Sequence, residues 1–479
     1  MNFVIPAFAP AIPEMVLLAM ASFILVADTF WSKRYEFATY YATQITLIVV
    51  AYFILTSFTL GTVITFNESF VRDGMADTLK LFILLISLGI FLFSKEYLLQ
   101  HKYYSGEYFA LGLFGILGMM VMVSGNNFIT LYLGLEISAL SMYAMIALRK
   151  DSGDALESSM KYFVLGALAT GLLLYGFSMI YGATGSITFP EMAAIIESGK
   201  ADPVVLSFGV VFVVVGLAFK LGAAPFHMWA PDVYQGAPTA VTLYLGTIPK
   251  LAAFAIIYRL LVEGMPGMVH DWQTLIVILS VLSMVVGSIV AVVQDNLKRL
   301  LAYSGIGHVG FILLGFIAAN PDGYSAAMFY VIVYAITAVA GFGMIIAFSR
   351  TGNEFDKVSD FIGLNARNPW LAFMMLLVMF SMAGIPPFIG FWAKILVIEE
   401  VIKAGFVWVA IVAVLMAVVS AFYYLKVVKA MYFDKTDDTT PLEPISSQLN
   451  WTVSFVAIAL LVLGLMPSSL IELAYHSIN

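Results

Sequence analysis

Apolar residues fall in long runs along this chain, and polar residues are confined to short stretches between them. A helix needs about 20 such residues to cross a bilayer, at roughly 1.5 Å of rise per residue. Fourteen runs meet that measure, over residues 12–31, 38–60, 77–94, 108–124, 126–147, 159–181, 204–229, 240–262, 272–293, 300–319, 325–348, 370–398, 406–433 and 451–473. The pattern predicts an all-α membrane protein of about fourteen transmembrane helices, a single integral domain over residues 1–479. Two runs are expected to be broken. The seventh carries Pro225, whose ring removes the helical hydrogen bond to the Leu221 carbonyl. The twelfth carries Gly384, Pro386, Pro387 and Gly390 and is too long for one straight crossing.

The connecting stretches give an orientation. Setting aside Lys220, Lys250 and Lys394, which are read as intramembrane, fifteen Lys and Arg lie in the loops after odd-numbered helices or in the parts of the runs that flank them, among them Lys33, Arg34, Arg149, Lys161, Lys298, Arg350 and Lys426. Only five (Arg72, Lys80, Lys200, Arg259 and Lys403) lie on the other side. Cations collect on the inner face of a membrane, so both termini are expected outside, in a prokaryotic cytoplasmic membrane. The first run has no Lys or Arg before it and reads as a retained helix, not a cleaved signal.

Composition narrows the function. Only 11% of the 479 residues are charged and 62% are hydrophobic, which fits a chain facing lipid. No basic cluster suggests nucleic acid. With no cysteine, thiolate-held iron-sulfur clusters, disulfides and cysteine nucleophiles are excluded. The five histidines are too scattered for paired haem ligands, so neither metal nor cofactor is expected in this chain. The string Gly305-Ile306-Gly307-His308-Val309-Gly310 matches a dinucleotide fingerprint but lies inside a membrane run, with no preceding strand. Its glycines are better read as allowing close helix contact or a local break.

The candidate chemistry is a set of charges at bilayer depth. Glu136 falls near the centre of the fifth run, Lys250 near that of the eighth, Lys220 slightly inward in the seventh, and Lys394 in the twelfth. Each charge there costs roughly 2.5 to 3.5 kcal/mol on the lenient insertion scale, which calls for a reason. A partly desolvated lysine whose distance to a carboxylate can change is able to hold or release a proton. The four groups are expected to form a line parallel to the membrane, with Lys220 and Glu136 as a movable ion pair and Lys250 and Lys394 passing the proton on. A static ion pair that fixes helix packing is the alternative. His308, with Tyr303 and Ser304 a turn earlier, is either a relay member or a hydrogen-bonded packing histidine, and Asp232 is expected in a solvated turn or cap. Helices 7 and 12 each combine a proline break, a Pro-Phe pair, a tryptophan and a lysine. They are the fourth members of two five-helix sets, helices 4–8 (residues 108–262) and 9–13 (residues 272–433), which start on opposite sides as an inverted repeat.

The stretches FKLGAAPFHMWAPDVYQGAPTAVT, IPKLAAFA, DNLKRLLAYSGIGHVGFILLG and GIPPFIGFWAKILV resemble the antiporter-like membrane subunits of respiratory complex I, NADH:quinone oxidoreductase, over essentially the whole chain. Within that family, VYQGAPT, the Pro249-Lys250 pair, lysine at 394 and the short stretch past the last helix single out one subunit type. The resemblance implies two inverted five-helix repeats with helices 7 and 12 broken at Pro225 and at Pro386-Pro387. It implies proton translocation coupled to quinone reduction elsewhere in the complex. It gives Glu136 the helix 5 glutamate role, Lys220 the helix 7 lysine, Lys250 the helix 8 relay and Lys394 the terminal position. NADH, FMN, iron-sulfur clusters and quinone would then belong to partner subunits, and the neighbours would be other antiporter-like and small quinone-proximal membrane subunits. Multi-subunit cation/proton antiporters and membrane-bound hydrogenases use sister subunits and are the close alternative.

Overall fold

The computed structural model of the protein describes residues 6–31, 37–349, 354–435 and 445–479; Lys33, Arg34 and Arg350 of the charge count lie outside the described residues. Thirteen helices among them are long and apolar enough to cross a membrane. The fourteenth crossing is assembled from two shorter helices. In chain order, crossings 1 to 6 are α1 (Ile12–Asp28), α2 (Ala38–Thr56), α3 (Gly74–Gln100), α4 (Gly106–Val123), α5 (Phe128–Ile146) and α6 (Gly153–Thr184). The short α7 (Phe189–Glu197) leads to helix 7, made of α8 (Pro203–Leu221) and α9 (Trp229–Gly236). Helix 8 comprises α10 (Thr239–Leu245), α11 (Ile248–Ile257) and a π-helical turn, Tyr258–Glu263. Helices 9 to 11 are α12 (Val269–Val292), α13 (Leu297–Ile317) and α14 (Pro321–Phe348). A turn of helix, α15 (Leu364–Arg367), precedes helix 12, which is α16 (Pro369–Ala383) and α17 (Ile389–Lys403). Helices 13 and 14 are α18 (Val407–Tyr432) and α19 (Ser447–Leu465), followed by the short α20 (Ser468–Ile478).

Helix starts follow from local chemistry. Asp73 caps α3 by accepting the Ala76 N–H at 2.8 Å, Asn127 caps α5 through Thr130 at 2.7 Å, and Asn320 caps α14 through Gly323 at 2.7 Å. Proline near the first helical position, where its missing N–H costs nothing, opens α8, α14 and α16. Helices 8 and 11 form the centre of the bundle, each 94% buried, while helices 13 and 14 at 33% lie on its rim.

Three features depart from the sequence reading. A two-stranded antiparallel hairpin, β1 (Val63–Thr65) with β2 (Phe70–Arg72), joins helices 2 and 3. The last run is divided, with α19 ending at Leu465 and α20 starting beyond Pro467. The third concerns Lys80, Arg259 and Lys298, which the charge count assigns to loops and which are buried at 1%, 1% and 3% exposure. Each meets a carboxylate from a distant segment: Lys80 with Glu14 at 2.6 Å, Arg259 with Asp73 at 2.7 Å, and Lys298 with Glu354 at 3.0 Å. A buried charge persists when paired, which hydropathy scanning does not register. Moving these three out of the loops leaves the bias of cations in the same direction.

The glycines of the Gly305–Gly310 string are contact points. A Cβ on Gly287 of α12 would lie 2.4 Å from the Gly307 nitrogen, and one on Gly310 would lie 2.7 Å from the Ser280 carbonyl oxygen. Helices 9 and 10 therefore touch backbone to backbone, as small residues permit. Gly310→Val should destabilise the protein by about 2 kcal/mol through overpacking. Thermal unfolding of the purified variant measures this, and an unchanged midpoint would mean that the two helices can separate without loss.

Candidate functional site

Helices 7 and 12 break in the same way. Gly222 ends α8 in the left-handed conformation (φ 72°), and Gly384 ends α16 likewise (φ 80°). The Gly222 N–H donates to Ala218 and Phe219 and the Ala223 N–H to Ala218; the Gly384 N–H donates to Phe380 and Ser381 and the Ile385 N–H to Phe380. Each is a glycine-terminated helix end that consumes part of the last-turn carbonyls. Pro225 and Pro387 each lie three residues further on, both after a cis peptide bond, and Pro386 occupies the step between.

The carbonyls left over receive the lysines. Lys250 Nζ donates to the Leu221 oxygen at 2.5 Å, the carbonyl that Pro225 cannot serve, and it lies 5.8 Å from the Trp229 ring centroid. Lys394 Nζ donates to Ala383 at 2.8 Å and to Met382 at 3.3 Å, with Ser420 Oγ of α18 at 3.4 Å. A helix C-terminus carries partial negative charge on such carbonyls, so an ammonium there is stabilised without a carboxylate. Lys250 and Lys394 are 4% and 7% exposed.

Lys220 lies in the last turn of α8, directly before Leu221, whose carbonyl Lys250 holds. It is half-buried, as is Glu136 on α5. Glu136 is the carboxylate whose charge acts on Lys220, yet among the described residues no ion pair within 4.0 Å joins the two. The pair is thus separated, as a movable pair can be and a locked one is not.

His308 on α13 has both ring nitrogens engaged, Nδ1 with the Tyr330 hydroxyl at 2.8 Å and Nε2 with the Tyr424 hydroxyl at 3.2 Å; Tyr424 also bonds Ser304. Tyr303, the other expected neighbour, lies instead 6.3 Å from the ring of His227. A small cavity next to His308 is lined by Tyr330, Tyr334, Ser381, Met382 and Gly390 and leaves about 10 Å³ open to a water's centre. The Ser381 hydroxyl, buried at 1%, has no hydrogen-bond partner among the described residues. That volume is about what one water needs.

Two parts of the site escape the sequence reading. Helix 8 is itself interrupted at Gly246-Thr247, just before Lys250. The Gly246 carbonyl accepts from Tyr334 of α14 at 3.1 Å, and Tyr334 lies 5.3 Å from His308 ring to ring. The signal was present in Gly246 and Pro249, a helix-weakening residue and one without an N–H. Asp232, expected in a solvated turn, is an ion-pair hub that meets Arg299 at 2.7 Å and Lys161 at 3.0 Å. It lines an open vestibule of about 400 Å³ where α9, α6 and α13 meet.

Fourteen crossings with two matching breaks, and amines docked on the freed carbonyls, are the build of an ion-translocating type of membrane chain. The chain belongs to the family described as NADH:quinone oxidoreductase/Mrp antiporter membrane subunits, whose profile matches residues 125–420. It is 72% identical over 478 residues, 100% of both chains, to NADH-quinone oxidoreductase subunit N of Hydrogenovibrio crunogenus. It is 50% identical to the subunit N of Nitrosomonas europaea, over 100% of this chain and 99% of that one. Among solved structures, a chain of respiratory complex I from Thermus thermophilus with bound aureothin superimposes with a TM-score of 0.82 at 30% identity, covering 97% of this chain and 100% of that chain. A chain of the Mrp complex from Dietzia shares the fold with a TM-score of 0.80 at 22% identity, over 98% and 96% of the two chains.

Proposed function

We propose that this chain is the proton-translocating subunit N of an NADH:quinone oxidoreductase, a translocase subunit that holds no redox centre of its own. The observation that carries the reading is the Lys250 ammonium bonded to the Leu221 carbonyl, next in sequence to Lys220. It places the amine of helix 8 on the break in helix 7, one residue past Lys220. Glu136 and Lys220 form the movable pair, Lys250 takes the proton next, and Tyr334 and His308 lead on toward Lys394. The breaks at Pro225 and at Pro386-Pro387 supply the carbonyls and the room that buried amines need.

The bias of cations supports both termini on the outer side. The membrane neighbours are other antiporter-like and small quinone-proximal subunits, and NADH, FMN, iron-sulfur and quinone chemistry belongs to other partner subunits of the complex. The five-helix repeats, residues 108–262 and 272–433, are supported by the matched breaks at Gly222 and Gly384.

Lys250→Met tests the reading in the assembled complex in proteoliposomes. Protons moved per quinone reduced should fall by at least the share this subunit carries, in keeping with the loss of a proton-transferring group. Unchanged coupling would sink the relay, and sodium/proton exchange by the chain alone in liposomes would favour a self-sufficient antiporter. A second prediction concerns the cavity beside His308: an experimental structure at high resolution should show one water there, hydrogen-bonded to Ser381. Filling it with Ser381→Val should slow proton transfer and leave assembly intact, and normal pumping from that variant would remove the water from the path.

A further inference from the structure

Glu354, in the segment after α14, sits where the vestibule meets the packed interior. One side of its carboxylate lines the vestibule, with the side chain 21% exposed. The other side is buried: Oε1 accepts from the Tyr97 hydroxyl at 2.5 Å and Oε2 from the Thr239 hydroxyl at 3.0 Å. Tyr97 is 1% exposed and Thr239 is fully buried. Lys298 Nζ donates to the same Oε2 at 3.0 Å and also to the Ala237 carbonyl at 3.3 Å. The pair thus grips both ends of the Ala237–Thr239 junction that joins helix 7 to helix 8. The segment bearing Glu354 is itself pinned to the start of α13, through Asn296 on Asp356 at 2.6 Å and the Val358 N–H on the Asp295 carbonyl at 2.9 Å. Glu354 is therefore delivered to a fixed point by the same helix that carries Lys298.

We propose that the Lys298–Glu354 ion pair is a latch on the inner mouth of the bundle, shutting the vestibule off from the buried hydroxyls at the start of helix 8. Behind it lie the Tyr97 hydroxyl, which accepts the Thr239 N–H at 3.1 Å, and Tyr108, whose hydroxyl donates to the Ala240 carbonyl at 3.1 Å and bonds Ser94 at 2.8 Å. With the latch shut, α10 is held against helices 3 and 4. With it open, α10 is free to shift against α11 at the Gly246-Thr247 interruption, and water reaches Thr239. The latch rests on the proton-relay reading above for its purpose, though not for its geometry.

The groups facing Glu354 are Lys298 from α13, Tyr97 from α3, Thr239 from α10 and Tyr103 from the turn after α3. Burial pushes the carboxyl up, but the Lys298 charge and the hydrogen bonds from Tyr97, Lys298 and Thr239 outweigh it and hold it down to about 2. A lowered carboxyl keeps its partner above the ordinary carboxylate range and loses it only as pH falls toward that value. Bulk acidity near neutral pH leaves the latch shut, and it opens when Lys298 is drawn away.

Glu354→Gln keeps the shape and one acceptor oxygen, enough for Tyr97 or Thr239 but not both, and removes the charge that Lys298 needs. The chain has no cysteine of its own, so Ala240→Cys places one thiol in it directly behind the latch. In the assembled complex, reaction of that thiol with 2-aminoethyl methanethiosulfonate should be slow, and Glu354→Gln should speed it about tenfold, in keeping with the loss of a charged hydrogen bond. The exchanged pair Glu354→Lys with Lys298→Glu should restore protection. If Ala240→Cys does not assemble, amide hydrogen exchange over residues 239–245 in Glu354→Gln reads the same opening. An unchanged rate in Glu354→Gln overturns the latch. Fast labelling together with normal pumping from Lys220→Ala overturns the relay reading and leaves the latch standing.

Discussion

Lys220→Ala, in a complex that still assembles and reduces quinone, is expected to slow proton transfer through this subunit by about tenfold or more, the scale of losing a positioned acid-base group, and so to lower the protons moved per quinone by at least this subunit's share. Glu136→Ala should do the same for a different reason. Lys220 has no ion pair or hydrogen bond among the described residues, so the charge of Glu136 across a gap is its main polar influence in the membrane. Removing the carboxylate leaves an ammonium at depth with nothing to move toward or away from. Glu136→Gln separates the two explanations, since the amide keeps the shape and loses the charge. If it pumps normally, the pair is a packing feature. If it fails as Glu136→Ala does, the charge is what matters. Quinone reduction measured alongside guards against reading a failed assembly as a failed relay.

The largest stability effect is expected at Arg259, away from the line of amines. Its guanidinium sits in the π-helical turn of helix 8 at 1% exposure, bonded to Asp73, to Glu263 at 2.7 Å and to the Val123 carbonyl at 3.3 Å. It ties the start of helix 3, the end of helix 4 and the end of helix 8 together. Arg259→Ala strands two carboxylates that are themselves mostly covered, a change that costs about 3 kcal/mol. The thermal midpoint of the purified complex or chain should fall by several degrees. Arg259→Met combined with Asp73→Asn and Glu263→Gln should fall less, because no charge is then left unpaired and an asparagine side chain still caps α3. Equal losses in the two variants would mean that packing, not charge, holds this corner.

What could be read in advance was what the chain writes locally. A proline removes a particular hydrogen bond four residues back, so Pro225 pointed to the Leu221 carbonyl, and the structure shows Lys250 bonded there. Run length gave the crossings, and glycine with proline gave the breaks in helices 7 and 12. The break in helix 8 had the same kind of signal in Gly246 and Pro249 but sat inside a run of acceptable length. The partners of buried charges were another matter. Glu354 reaches Tyr97 from 257 residues away, and Arg259 reaches Asp73 across 186. Nothing in the neighbourhood of either residue specifies such a partner; it is set by how the helices pack. The hairpin at 63–72 leaves no mark among apolar runs of about 20 residues, because its strands are three residues each.

The bends at Gly222 and Gly384 bear on how far anything can travel here. Each is closed by short amide contacts on a left-handed glycine, and at Gly384 an added methyl would come within 2.9 Å of the Lys394 side chain. The Gly384 corner, so filled and so tightly stitched, is a rigid bracket, and the Gly222 corner is held by the same amide contacts. On the proposed relay, the stroke at these two corners falls to what is tethered to them: a lysine's four methylenes swinging its amine over a few ångströms, while the corner itself stands still.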